Sequence, residues 1–209
     1  QEDPSWETLA QPMQELEDKL SNAWSVISHL NGVMNNDDLR KVYKNCLEKL
    51  TEYSTEVSQN SALCEAYKKL AARDDFHNLS ESQRKSIENI LRDFRLGGVD
   101  LPEDKKKRYA ELSRELAELS NKFSDNVLDA TQHWYKHITD VDELSGLPET
   151  AIEGARQAAR QKELDGYVIT LDFPSFYPVM TYGDNRSLRR EVYEAFVTRA
   201  SDQGPDAAK

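Results

Sequence analysis

Chain-breaking residues are scarce. Eight glycines and seven prolines in 209 residues fall well below the roughly 12% combined share that is usual, so long helices are the expected elements. Cysteine is scarce too: Cys46 and Cys64 lie in no C-x-x-C or other metal-type spacing. Reduced thiols of a cytosolic protein are the expectation, with a disulfide between the two as the alternative. Positive charge is in deficit, with 27 Lys and Arg against 38 Asp and Glu and a net charge of −11. That balance argues against nucleic acid as a partner, because phosphate binding needs a basic face. It argues equally against docking on an anionic membrane surface. No long apolar run exists. The longest charge-free stretch, 20–36, is about half Ser, Asn and His, whereas a membrane span needs roughly 20 mostly apolar residues.

Apolar residues nevertheless recur throughout, at 38% of the chain, and the length suffices for a core without disulfides or a metal. Gln1-Glu2-Asp3-Pro4 has neither the basic start nor the apolar stretch of a signal peptide. The missing initiator Met reads as a start inside a longer reading frame, or as processing.

Helical periodicity dominates. Met13, Leu16, Leu20, Trp24, Ile27 and Leu30 recur at steps of three or four and predict a helix over 12–32, with Gly32 as its stop. Because 20–36 carries no charge on any face, that helix is expected to be covered all round, either inside this fold or by something outside the chain. Leu39, Tyr43, Cys46, Leu50, Tyr53 and Val57 form a narrow seam on a second helix beginning near Asp37. A third follows Ser61. Ser80-Glu81-Ser82-Gln83 is a capping box for a fourth, with Ile87, Leu91 and Phe94 on its face and Gly97-Gly98 ending it. Pro102 starts the longest helix, with Tyr109, Leu112, Leu116, Leu119, Phe123, Val127 and Ala130 as its stripe. Such a helix is expected to be a spine for shorter ones.

Beyond His133 the texture turns aromatic and β-branched. One antiparallel strand pair is expected, 134–139 with 167–172, around an Ala-rich helix over 149–162. The stretch 173–183 holds two prolines and four aromatics and reads as a loop and a helical turn. Asn185 caps a last helix with Leu188, Val192, Ala195 and Phe196 inward, and 201–209 reads as a loop.

Little chemistry assembles from these residues. Asp129, His133 and His137 are four apart, and one continuous helix would bring them to one face able to hold a divalent metal. The β-type residues begin at His133, so the helix is expected to end first. Neither histidine is followed by Glu, so H-E-x-x-H is absent. His29 reads as a buried or capping histidine and His77 as solvated. Acidic pairs such as Asp74-Asp75 and Glu103-Asp104 are expected by chance among so many acids, so no acid/base dyad stands out. Cys46, on an apolar seam, fits packing better than a nucleophile. The stretch 166–183, with Asp172 as its single charge and Tyr167, Phe173, Phe176, Tyr177 and Tyr182 within it, reads as local core or as an interface with another part of the protein.

One longer pattern runs through the chain. Lys122-Phe123-Ser124-Asp125-Asn126-Val127-Leu128-Asp129-Ala130-Thr131, Pro178-Val179-Met180-Thr181-Tyr182, Asp184-Asn185, Leu188-Arg189 and Thr198-Arg199-Ala200-Ser201 follow one another in order. With Ser28-His29-Leu30-Asn31 nearer the start, the chain resembles the oligopeptidase A, thimet oligopeptidase and neurolysin family of zinc metallopeptidases, from about Trp6 to Lys209. The resemblance implies a mostly helical protein with a deep channel between two lobes, in keeping with the residue pattern's mainly α fold with one very long helix and a small two-stranded antiparallel element. It implies a single N-terminal helical domain, 1–209, forming a channel wall of a larger cytoplasmic enzyme that cuts short peptides. The family's zinc helix lies downstream of the matching region, so no catalytic, metal-binding or substrate-binding residue is carried over. Zinc is implied for the intact parent and not for this chain; the implied partners are the catalytic lobe of the same protein and oligopeptide substrates. The alternative is a free-standing helical scaffold or adaptor.

Overall fold

A computed structural model describes residues 3–201. Among them are eight α-helices and one two-stranded antiparallel sheet, in two compact units, Gln1–Asn121 and Lys122–Lys209. The mainly α fold with a small strand pair is the one the sequence predicts.

The first unit begins with a short helical turn, Trp6–Ala10. Ser5 caps it: its hydroxyl accepts from the Thr8 N–H at 3.2 Å, and the Thr8 hydroxyl accepts from the Ser5 N–H at 2.9 Å. The chain runs on as α1 (Gln11–Val33) and reverses over residues 34–36 into α2 (Asp37–Ser58). Gly32 does not stop α1. It stays helical, and Met34 closes the helix instead, its N–H bonded to the Leu30 carbonyl at 2.8 Å. Asn36 and Asn60 cap α2 and α3 (Ser61–Ala71), each side-chain oxygen accepting a backbone N–H at 2.9 Å. The expected box starts α4 (Glu81–Leu96), with both reciprocal Ser80 and Gln83 bonds made.

The end of α4 explains its paired glycines. The Val99 N–H bonds to the Phe94 carbonyl and the Gly98 N–H to the Arg95 carbonyl, the two bonds of a Schellman stop. Gly98 sits at φ +86, where a side chain would be strained. The core of this unit gathers Leu9, Ala10, Cys64, Tyr67, Leu70, Ile87, Phe94 and Val99. It lies where α3 meets α4 and the opening turn. The long helix α5 (Glu103–His133) follows, with Pro102 just outside it rather than in its first turn.

In the second unit β1 (Tyr135–Ile138) pairs with β2 (Tyr167–Thr170), Tyr135 opposite Thr170 and Ile138 opposite Tyr167. Between them lies α6 (Glu149–Gln161), and after them α7 (Phe173–Tyr182) and α8 (Arg186–Val197). Ile138, Leu144, Ile169, Leu171, Val179 and Val192 are nearly or fully inaccessible and make this core. Phe176 and Phe196 stack across α7 and α8 with centroids 4.0 Å apart.

The expected loop and turn at 173–183 is a helix. Pro174 occupies the first turn, where no N–H is required. Pro178 lies inside α7 and removes the bond to residue 174. Burial of Val179 and the Phe176 stack outweigh that loss. Of the expected closing loop, residues 202–209 lie outside the described residues.

Candidate functional site

The most informative surfaces are apolar and uncovered. On α1, Val26 and Val33 are more than half exposed, as is Met34 at its end, and Leu20, Ile27 and Leu30 are exposed as well. The charge-free segment 20–36 is therefore not interior to this fold, and His29 is exposed rather than buried or capping. Only Asn31 within it is buried, and its Oδ1 finds no hydrogen-bond donor among the described residues.

The first part of α5 repeats the pattern. Leu112, Leu116 and Leu119 are 47%, 67% and 57% exposed. The expected stripe exists, but in this unit its middle is not a spine that other helices cover. The partly buried positions are Lys106, Tyr109, Ala110, Ser113 and Ala117 instead. Ala110 and Arg114, with Thr51 and Thr55 of α2, line a shallow groove. Lateral contact through small and polar residues leaves the leucines free.

In the second unit the stretch 166–183 divides. Val168, Ile169, Leu171 and Val179 are core, as the local-core reading holds. Phe173 and Tyr177 are exposed and stack on each other at 5.1 Å.

A cleft of about 480 Å³ opens among α1, α2, α3 and α4 within the first unit. Leu20, Trp24, Tyr53 and Phe94 contribute apolar wall, and Glu17 and Asp93 are its only charged lining groups. Burial pushes the Tyr67 hydroxyl up to about 12, with the Glu17 carboxylate adding to the effect. Sequence periodicity places Tyr67 on the core face of α3 but gives no sign that it also borders a cleft.

The histidines do not converge. His133 closes α5 with Nδ1 donating to its own helix, at the Asp129 carbonyl, 2.7 Å. His137 stands on β1 with Nε2 donating to the Asp165 carbonyl at 2.5 Å. Helix and strand separate them, as the change of texture at His133 predicts. Among the described residues no three His, Cys, Asp or Glu side chains are placed to hold a metal, so those residues do not fit a zinc centre. Both thiols are free, and burial raises the Cys64 thiol above its ordinary range, which suits packing rather than nucleophilic attack. Arg73 joins Asp3 and Asp75 at the surface, and its hydrogen bond holds the Asp75 carboxyl below the ordinary carboxylate range. No helix of the described residues is long and apolar enough to cross a membrane.

Comparison with known proteins places the chain in a family. Residues 1–106 match the family model for the neurolysin/thimet oligopeptidase N-terminal domain. Oligopeptidase A of Escherichia coli (strain K12) is 50% identical over 205 residues, 98% of this chain and 30% of that protein. Oligopeptidase A of Haemophilus influenzae is 50% identical with the same coverage. A probable cytosolic oligopeptidase A of Arabidopsis thaliana is 36% identical over 206 residues, 95% of this chain and 29% of that protein. The chain thus spans about 30% of the length of the curated relatives it matches. With the family model covering half of its residues, the chain belongs to the neurolysin/thimet oligopeptidase N-terminal domain family.

Proposed function

We propose that this chain is a non-catalytic helical portion, read as one N-terminal domain over 1–209, of a cytoplasmic oligopeptidase A-like zinc metalloendopeptidase. Its role is to build one wall of the channel that admits short peptides. A narrow channel excludes folded proteins and admits flexible chains, which gives a steric basis for oligopeptide substrates. Zinc chemistry belongs to the catalytic lobe of the parent, because this chain has no H-E-x-x-H and its described residues assemble no ligand set for a metal.

The observation that carries the reading is the exposed leucine stripe of α5, Leu112, Leu116 and Leu119. Three adjacent leucines on one helix face, each about half exposed or more, form a patch that a soluble chain covers with a partner. The exposed apolar residues of α1 make the same argument. The partner of the reading is the catalytic lobe. The test is to mix the chain with the separately expressed remaining part of its Escherichia coli relative. Complex formation, hydrogen-exchange protection on α1 and the first part of α5, and cleavage of a quenched-fluorescent peptide are the expected results. A free-standing scaffold would bind nothing there and gain no protection.

A further inference from the structure

The cleft among α1, α2, α3 and α4 carries an inference that goes beyond the peptidase reading. Its walls are mostly apolar, and its volume of about 480 Å³ falls in the range of small-molecule sites, roughly 300–1,000 Å³. Two of its polar groups, Tyr67 and Glu17, are open to a ligand. Tyr67 is only 3% exposed, yet its hydroxyl has no hydrogen-bond partner among the described residues. The hydroxyl oxygen is not sealed in the core; it opens onto the cleft, where a ligand donor can reach it. Glu17, also on the cleft, makes no ion pair among the described residues. The other charged lining residue, Asp93, already faces Arg92 at 3.0 Å. No cation lines the cleft.

We infer that this cleft binds a small hydrophobic ammonium compound, with the ammonium at Glu17 and Tyr67 and the apolar body between α1 and α4. The chemistry is matched group by group. An ammonium has three donors and no acceptor. The Glu17 carboxylate takes one charge-assisted bond, and the Tyr67 hydroxyl oxygen accepts a second. Leu20, Trp24 and Phe94 meet an aryl or alkyl body. An anion of the same shape would face Glu17 and Asp93 with no compensating cation.

The test uses the whole chain and three probes of one shape: 3-phenylpropylamine, its neutral alcohol 3-phenylpropanol, and the carboxylate 3-phenylpropionate. Binding is read by calorimetry and by amide shifts in a ¹⁵N-labelled sample. The amine is expected to bind at least tenfold tighter than the alcohol, the carboxylate not at all, with shifts concentrated on the cleft-facing turns of α1 to α4. Glu17→Gln should weaken the amine at least tenfold and leave the alcohol unchanged. Tyr67→Phe should weaken the amine severalfold. Glu88→Gln, an exposed acid outside the cleft, controls for general attraction to the acidic surface and should change nothing. Glu17 is exposed, so its variant keeps the fold, and circular dichroism checks the Tyr67 variant. Equal binding of amine and alcohol, an unchanged Glu17→Gln, an equal loss in Glu88→Gln, or no binding of the amine would each overturn the inference.

Discussion

Trp24 of α1 and Tyr43 of α2 stack with ring centroids 4.6 Å apart and planes 18° from parallel. The Ser28 and Tyr43 hydroxyls lie 3.3 Å apart one turn further on. No residue of α2 is buried, so this stack is a principal tie between the two helices. Trp24→Ala should lower stability by about 2 kcal/mol, below the 3–5 kcal/mol of a fully buried tryptophan. A double-mutant cycle with Tyr43→Ala should return a coupling of about 0.5–1.5 kcal/mol. Urea unfolding followed by tryptophan fluorescence and circular dichroism measures both; additive losses would show that the stack carries nothing.

Ser80 starts α4 by accepting the Gln83 N–H at 3.2 Å while Gln83 returns a bond to the Ser80 N–H at 2.9 Å. Ser80→Ala should cost about 1 kcal/mol and Ser80→Gly a few tenths, because glycine keeps the backbone geometry of the cap. The midpoint of urea unfolding reads the difference.

Caps and turns of this kind were legible because their chemistry is local. Ser80, Asn185, Gly97-Gly98 and the change of texture at His133 each declare a boundary within a few residues. Residues 173–183 were misread because Pro174 and Pro178 look like breaks, while the Val179 and Phe176 packing that holds α7 together comes from β2 and α8. The stripe Leu112, Leu116, Leu119 shows another limit. A period of three and four identifies one face of a helix but not what lies against it, and here that face is left largely exposed. His29 failed for the same reason, since the charge-free helix around it is exposed. The cleft was invisible because Glu17, Trp24, Tyr67 and Phe94 come from three helices far apart in the chain.

Gly166 precedes β2 at φ +91, and a Cβ there would lie 2.4 Å from the Ile138 carbonyl oxygen. That oxygen belongs to the backbone of the paired strand and cannot move aside alone. Gly166→Ala should therefore cost at least about 2 kcal/mol, from strain at positive φ plus disruption of the strand pair. Amide exchange at Ile138 and Tyr167 should accelerate. An unchanged exchange pattern would show that the pair tolerates the side chain.

The Tyr67 hydroxyl, pushed by burial from its ordinary value of 10.0 to about 12, makes stability fall in alkali. The unfolded chain loses this proton from about pH 10 upward while the folded chain keeps it, so the unfolded state binds fewer protons and stability drops as pH rises between the two values. Two units correspond to roughly 2–3 kcal/mol, fully present below pH 10 and gone above about 12. Tyr67→Phe should remove this part of the slope. Urea midpoints across that window compare the two proteins, and parallel curves would place the alkaline loss elsewhere.

Leu116, 67% exposed, separates folding from association. In the chain alone its side chain contacts mostly water, so Leu116→Glu should change stability by no more than about 0.5 kcal/mol. If the catalytic lobe covers it, the same substitution buries an unpaired carboxylate in an apolar contact, and affinity should fall at least tenfold. Leu70→Ala gives the opposite pattern. Leu70 is 2% exposed in the core of the first unit, so it should lose about 2–5 kcal/mol of stability without a specific effect on association while the chain stays folded. Urea unfolding and titration of the two variants against the separately expressed remaining part of the Escherichia coli relative give both numbers. A Leu116→Glu chain that unfolds early would mean the leucine is held within its own unit. One that folds and associates normally would remove the α5 stripe from the interface and leave the apolar face of α1 as the surface to test.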